Sequence, residues 1–168
     1  MKFAYADPPY FGCGKLYKEH PNWMECDAIE WHQSLIDRLV SEYPDGWALS
    51  MTSGNLHDLL PYIPKEARIA AWVKPFAIFK PNVNPAYTWE PVVFMGGRKG
   101  DRTRSTIRDH LACNITLKKG LTGAKPEAFC GWILDLLGYQ PGDTLDDLFP
   151  GTGIMTDVLT TRCQNSKK

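Results

Sequence analysis

Asp7-Pro8-Pro9-Tyr10 puts a carboxylate, two prolines and an aromatic ring in consecutive positions. The carboxylate is an acceptor suited to an amino group with two protons to donate. The prolines lack N–H groups and fix φ, so they stop a strand and set a rigid loop. The ring of Tyr10 offers a flat face for stacking a base. Taken alone, the triplet is equally a strand stop with a solvated Asp and a packing Tyr. A second segment, Asp147-Leu148-Phe149-Pro150-Gly151-Thr152-Gly153, carries a carboxylate and two glycines. The glycines let backbone approach a ligand, and a helix beginning there presents free N–H groups. One Gly-x-Gly is also found in ordinary strand-to-helix turns.

The surrounding elements place both segments. Lys2 to Ala6 is a short apolar run that stops at Asp7 and reads as a buried strand; 11–22 reads as a loop. Asp27-x-x-Glu30 has the form of a capping box, and Ile29, His32, Leu35, Ile36, Leu39, Val40 and Tyr43 follow at helical spacing. Strands are expected at 47–51, 68–73, 91–95 and 144–149. Helices are expected after Ser53, over 127–139 and after Gly153. Phe129, Trp132, Ile133, Leu136 and Leu137 share one face of the second. Short apolar strands alternating with helices predict an α/β sheet of about five strands, covered on both faces. Ligands of such sheets sit at the carboxyl ends of strands, where both special segments fall. One domain over 1–163 with a polar tail at 164–168 is the expected organisation.

Composition narrows the function. Nineteen Lys and Arg balance nineteen Asp and Glu over 168 residues, so bulk charge does not hold this chain to nucleic acid. With 43% apolar and 23% charged residues the chain is globular in composition. No apolar stretch approaches the roughly 20 residues of a membrane span. The five cysteines form no C-x-x-C pair, and the four histidines lack metal-ligand spacing. No metal is expected, and a reducing, cytoplasmic setting is.

The two special segments, taken as a pair, resemble the S-adenosylmethionine-dependent amino methyltransferases of nucleic acids. The adenine-N6 group is the nearest, because its catalytic loop is typically Asp-Pro-Pro-Tyr and cytosine-N4 enzymes commonly carry Ser there. Lys125-Pro126-x-x-Phe129 resembles the family's Lys-Pro segment, and Thr88-Trp89-Glu90-Pro91 its segment before an apolar strand. Catalytic loop first and cofactor loop last is the circularly permuted, beta-type order. The resemblance runs from Phe3 to about Leu159 and implies a Rossmann-like methyltransferase sheet. It implies that Asp7 and the Pro8 carbonyl accept hydrogen bonds from the target amino group, with Pro9 shaping the loop and Tyr10 stacking the base. It implies that Asp147, Phe149, Gly151 and Gly153 form the S-adenosylmethionine pocket, with Lys125, Pro126 and Phe129 alongside. The implied reaction is methyl transfer to adenine N6, in DNA rather than RNA. RNA adenine, cytosine N4 and a non-catalytic binding subunit are the alternatives.

Two departures follow. Fifteen residues come after Gly153, where the family continues to a second strand whose terminal acid holds the cofactor ribose. Asp157, Glu127 or another subunit is left for that task, and the fifth strand is expected at an exposed edge that invites a homodimer or partner chain. A separate target-recognition domain is also not expected within these 168 residues. Its most basic segment, 98–125, sets eight basic side chains against two acidic ones. Arg98, Lys99, Arg102, Arg104 and Arg108 are therefore the expected phosphate contacts, a solvated loop being the alternative. Trp47, Trp72 and Trp132 are expected in the core. Trp23, Trp31 and Trp89, and Lys15, Tyr17 and His20 after Tyr10, are more open to function.

Overall fold

The computed structural model describes residues 1–18, 23–77, 79, 81–100, 105–117 and 123–165. Numbered in chain order, the strands are β1 (Lys2–Ala6), β2 (Gly46–Ser50), β3 (Arg68–Val73), β4 (Trp89–Gly96), β5 (His110–Ala112) and β6 (Thr144–Asp147). They form one sheet in the order β5-β3-β4-β2-β1-β6. Its neighbours pair in parallel except at β4, which runs antiparallel to β2 and β3. Six strands thus replace the five expected. The addition, β5, is three residues long and mostly exposed, too short to show a period in the sequence. The last strand ends at Asp147, two residues before the expected end, because Leu148 and Phe149 turn away to pack on α1.

Alternation along the strands builds two cores. On β1, Phe3 and Tyr5 face α3 (Glu127–Leu137) and α4 (Ile154–Asn165), whereas Ala4 and Ala6 face α1 (Ile29–Glu42). Trp47 and Leu49 of β2 join the α1 core, with the short α2 (Leu56–Leu59) closing its side. The α1 face is made of Leu35, Ile36 and Leu39, each fully or nearly fully buried. Burying each stabilises the fold by roughly 1.5–3 kcal/mol. The α3 face is Phe129, Cys130, Trp132, Ile133, Leu134 and Leu137. This helix ends at Gly138, whose φ of 64° puts it in the left-handed region. A Cβ there would lie 2.7 Å from the Arg98 Cβ, so both conformation and space call for glycine.

The capping box does not form. The α1 N-cap is Ala28, with no side-chain cap bond, and the Asp27 carboxylate instead accepts the Gly14 N–H at 2.8 Å. Asp27 thereby ties down the loop that follows Asp7-Pro8-Pro9-Tyr10. At the opposite end of the sheet, Asp143 takes the Met1 ammonium at 2.7 Å and both oxygens take Arg98, at 2.8 and 2.9 Å. That knot fixes β1 beside β6 and so sets the spacing of the two special segments.

Candidate active site

The carboxyl ends of β1 and β6 are neighbours, with Tyr5 opposite Asp147. Asp7 leaves β1 at this edge and the glycine turn leaves β6 beside it. Behind Asp7, Pro8 and Pro9 are buried, which holds the carboxylate at the surface of the edge. A turn from the Tyr10 carbonyl to the Cys13 N–H, at 2.8 Å, closes the loop.

Asp7 meets Lys125, which stands just before α3. The Lys125 ammonium donates to both Asp7 oxygens at 2.7 Å, and to the Tyr10 hydroxyl oxygen at 3.3 Å. Tyr10 in turn donates to Glu90 Oε2 at 2.9 Å; its 3.4 Å approach to Asp7 is too long to compete. Glu90 also accepts Lys74 Nζ at 2.8 Å on its other oxygen. The result is a continuous cluster of two carboxylates, two ammonium groups and one phenol. Lys125 lies 5.5 Å from the Tyr10 ring centroid and 5.9 Å from that of Phe129, so the cation is also walled by aromatic faces.

The cluster is largely buried: Lys125 and Lys74 side chains are 7% and 9% exposed, Asp7 and Glu90 19% and 20%. Burial lifts the Asp7 carboxyl above the usual carboxylate range, and Lys125 works against that lift. For Glu90 burial is again the largest influence and pushes upward, but Lys125 and Lys74 together outweigh it and hold Glu90 low. Burial opposes the Lys125 charge, yet Asp7 and Glu90 prevail and raise it. Burial, with Asp7 and Glu90 adding to it, keeps Tyr10 a protonated phenol far above its ordinary value. An ionised carboxylate has about four lone-pair sites. Lys125 uses one on each Asp7 oxygen, which leaves acceptor capacity for an incoming amino group.

Across the edge, burial raises half-buried Asp147 to about 6, and the neighbouring Asp7 charge adds to this. Asp147 Oδ1 accepts the Phe149 N–H at 3.3 Å. The Phe149 ring packs on Trp31 of α1, with centroids 5.9 Å apart. Gly151 and Gly153 have φ of 47° and 77°. A Cβ on Gly153 would meet nothing within 4 Å, and one on Gly151 only the Phe149 carbonyl at 3.8 Å. The turn is therefore open, at the start of the twelve-residue α4.

The structure brings Asp7, Tyr10, Lys125 and Asp147 to one edge with the glycine turn. Phe129 is fully buried, packed against Tyr5, Trp72 and Trp132, and so supports the floor of the edge. Half-buried Pro126 starts α3 by accepting the Phe129 and Cys130 N–H groups. Glu127 and Asp157 are both exposed. Of the described basic residues of 98–125, Lys125 stands at this edge, whereas Arg98, Lys99 and Arg108 do not. Antiparallel β4 carries the chain from Trp89 to Gly96, roughly 23 Å at about 3.3 Å per residue, and Arg98 follows at the far end. There Arg98 is held by Asp143, and the Arg108 carbonyl accepts the Trp132 indole. Lys99 is in the same far region, whereas Arg102, Arg104 and His20 lie outside the described residues. Lys74 and Glu90 were not expected as site residues. The available signals were the Thr88-Trp89-Glu90-Pro91 segment for Glu90 and, for Lys74, a Lys-Pro pair at the end of an apolar strand, a pair that recurs at 80–81 and 125–126.

No protein-family model and no curated protein matches the sequence. Solved structures do. PvuII DNA methyltransferase (cytosine-N4-specific) superposes with a TM-score of 0.70 at 16% identity, over 96% of this chain and 72% of that one. M1.HpyAVI in its SAM complex gives 0.60 at 16% identity, over 98% and 77%, and M1.HpyAVI itself 0.56 at 17%, over 97% and 75%. The chain has a methyltransferase Rossmann-like α/β fold. At these identities the likeness is one of fold alone. Among the described residues no helix is long and apolar enough to cross a membrane.

Proposed function

We propose that this chain transfers a methyl group from S-adenosylmethionine to the exocyclic N6 amino group of adenine in DNA. The observation that carries the reading is the juxtaposition of Asp7-Pro8-Pro9-Tyr10 and the open Asp147–Gly153 turn on the adjacent ends of β1 and β6. Fold likeness to a cytosine-N4-specific DNA methyltransferase and to M1.HpyAVI, solved with SAM, supports it.

The residues present fit the cofactor. Its amino-acid end carries a cation beside a carboxylate, and the edge offers the Asp147 carboxyl together with the Lys125 ammonium, which is itself held by Asp7. The open glycine turn leaves room for backbone approach. When bound, S-adenosylmethionine supplies an activated methyl on a sulfonium that leaves with the electron pair of the broken C–S bond. Asp147, Gly151, Gly153 and the α4 N-terminus would hold it. Asp7 and the Pro8 carbonyl accept hydrogen bonds from the amino group, which orients the nitrogen lone pair. As the methyl arrives, the Asp7 charge stabilises the positive charge developing on nitrogen. Tyr10 stacks the base, taken from a single strand or flipped from a duplex.

The test is mass spectrometry of nucleosides after incubation with S-adenosylmethionine and, separately, single-stranded DNA, duplex DNA and RNA. N6-methyladenine in a DNA pool is expected. N4-methylcytosine alone would reassign the base, and methylation confined to RNA would reassign the polymer.

A further inference from the structure

Neither the Asp-Pro-Pro-Tyr loop nor the glycine turn contains the carboxylate that touches Tyr10. That group is Glu90, the second residue of β4, and its own partner is Lys74, just past β3. Resting on the methyl-transfer reading above, we propose that Glu90, backed by Lys74, is a positioning residue that holds the Tyr10 ring and the Asp7–Lys125 pair in register for the target base.

One Glu90 oxygen accepts the Tyr10 phenol at 2.9 Å and the other accepts Lys74 at 2.8 Å, so the carboxylate is anchored at both oxygens and cannot rotate freely. Lys125 lies 3.9 Å from Glu90 while it grips Asp7 at 2.7 Å. Lys125 is thus shared unequally between two carboxylates, and the distant one limits how fully it neutralises the near one. The antiparallel β3–β4 pairing sets this up: Trp72 stands opposite Glu90 and Lys74 donates its N–H to Thr88, so Lys74 and Glu90 are diagonal neighbours at the same edge as Asp7. A surface pair would contribute little, but both side chains here are at least four-fifths buried. Breaking one partner leaves the other uncompensated.

The arrangement also makes Glu90 an electrostatic neighbour of Asp7. Facing Asp7 are Lys125 ahead of α3, Glu90 of β4 with Lys74 behind it, Tyr10 and Tyr17 of the loop after β1, Tyr5 of β1, Asp147 of β6 and Cys130 of α3. Among these, Glu90 raises Asp7 and Lys125 lowers it. Removing the Glu90 charge therefore shifts Asp7 ionisation to lower pH.

The experiment compares wild type, Glu90→Gln, Tyr10→Phe and the double variant. Carbon-13 NMR follows Asp7 titration in the free chain, and methyl transfer is measured against pH. The expected Glu90→Gln result is a lower Asp7 midpoint, an acid limb of kcat moved the same way, and kcat reduced by about tenfold or more with KM for S-adenosylmethionine within about twofold. Tyr10→Phe should lower kcat comparably, and the double variant should be no worse than the poorer single one. An unmoved Asp7 midpoint, or losses that multiply in the double variant, would overturn the proposal. If Glu90→Gln fails to fold, Lys74→Met with Glu90→Gln removes both buried charges together and is read in the same way. Absence of any methylated nucleoside with wild type would refute methyl transfer, while the NMR titration would still decide whether Glu90 governs Asp7.

Discussion

Asp7 and Lys125 depend on each other. With Asp7 gone, the Lys125 ammonium stays buried with the neutral Tyr10 hydroxyl at 3.3 Å and Glu90, 3.9 Å away, as its nearest remaining carboxylate among the described residues. Asp7→Ala should therefore lower unfolding free energy by about 3–5 kcal/mol in urea titrations, and adding Lys125→Met should restore most of it. Equal instability of the single and double variants would show that the ion pair is not the cause. Asp147 carries a pH prediction. Its folded value, about 6, lies above the unfolded range, so its ionisation costs stability as pH rises from about 4 towards 6. A cationic ligand group favours the ionised form. Affinity for S-adenosylmethionine should be level above about pH 6 and weaken by up to about tenfold per unit below it, with Asp147→Asn giving a flat, weaker profile. Calorimetry at several pH values measures this; a wild-type profile as flat as the variant's would remove Asp147 from the pocket.

At the scale of elements, legibility followed locality. Asp-Pro-Pro-Tyr and Asp147–Gly153 were readable because each is a contiguous segment at the end of an apolar run. Lys74 was not, and Glu90 was marked only within the Thr88–Pro91 segment and without a role, because the antiparallel direction of β4 is what brings both to Asp7, and apolar alternation does not encode strand direction. Phe129 belongs to two patterns at once: the Lys-Pro segment, whose resemblance sets it beside the cofactor, and the helical face with Trp132 and Ile133 that buries it completely. Phe129→Ala is expected to cost about 3–5 kcal/mol of stability while leaving S-adenosylmethionine affinity of the folded protein within about threefold. Denaturant melts and calorimetry on one preparation read both. A stable variant that has lost affinity would return Phe129 to the pocket.

Across the whole molecule, the two ends of the sheet have different tasks. The far end holds Arg98 and the Met1 ammonium on Asp143 and keeps β1 and β6 aligned. The near end carries the carboxylates and exposes Phe76, Phe79, Tyr87 and Leu117. A net charge of zero leaves local cations to meet phosphates, and Lys15 and Lys18 are exposed in the loop directly after Tyr10. Lys15→Ala and Lys18→Ala should each reduce the log–log salt slope of DNA binding by about 1, whereas Lys99→Ala with Arg108→Ala should leave it unchanged. The reverse pattern in fluorescence-anisotropy titrations would place the phosphate track at the far end.

The measurement that bears most directly on the central claim is quantitative nucleoside mass spectrometry of DNA treated with S-adenosylmethionine and either wild type or Asp7→Asn, each first shown to be folded and to bind the cofactor. N6-methyladenine accumulating with wild type and falling at least about a hundredfold with Asp7→Asn is the predicted result. Equal methylation by both proteins, or none by wild type, would contradict the account.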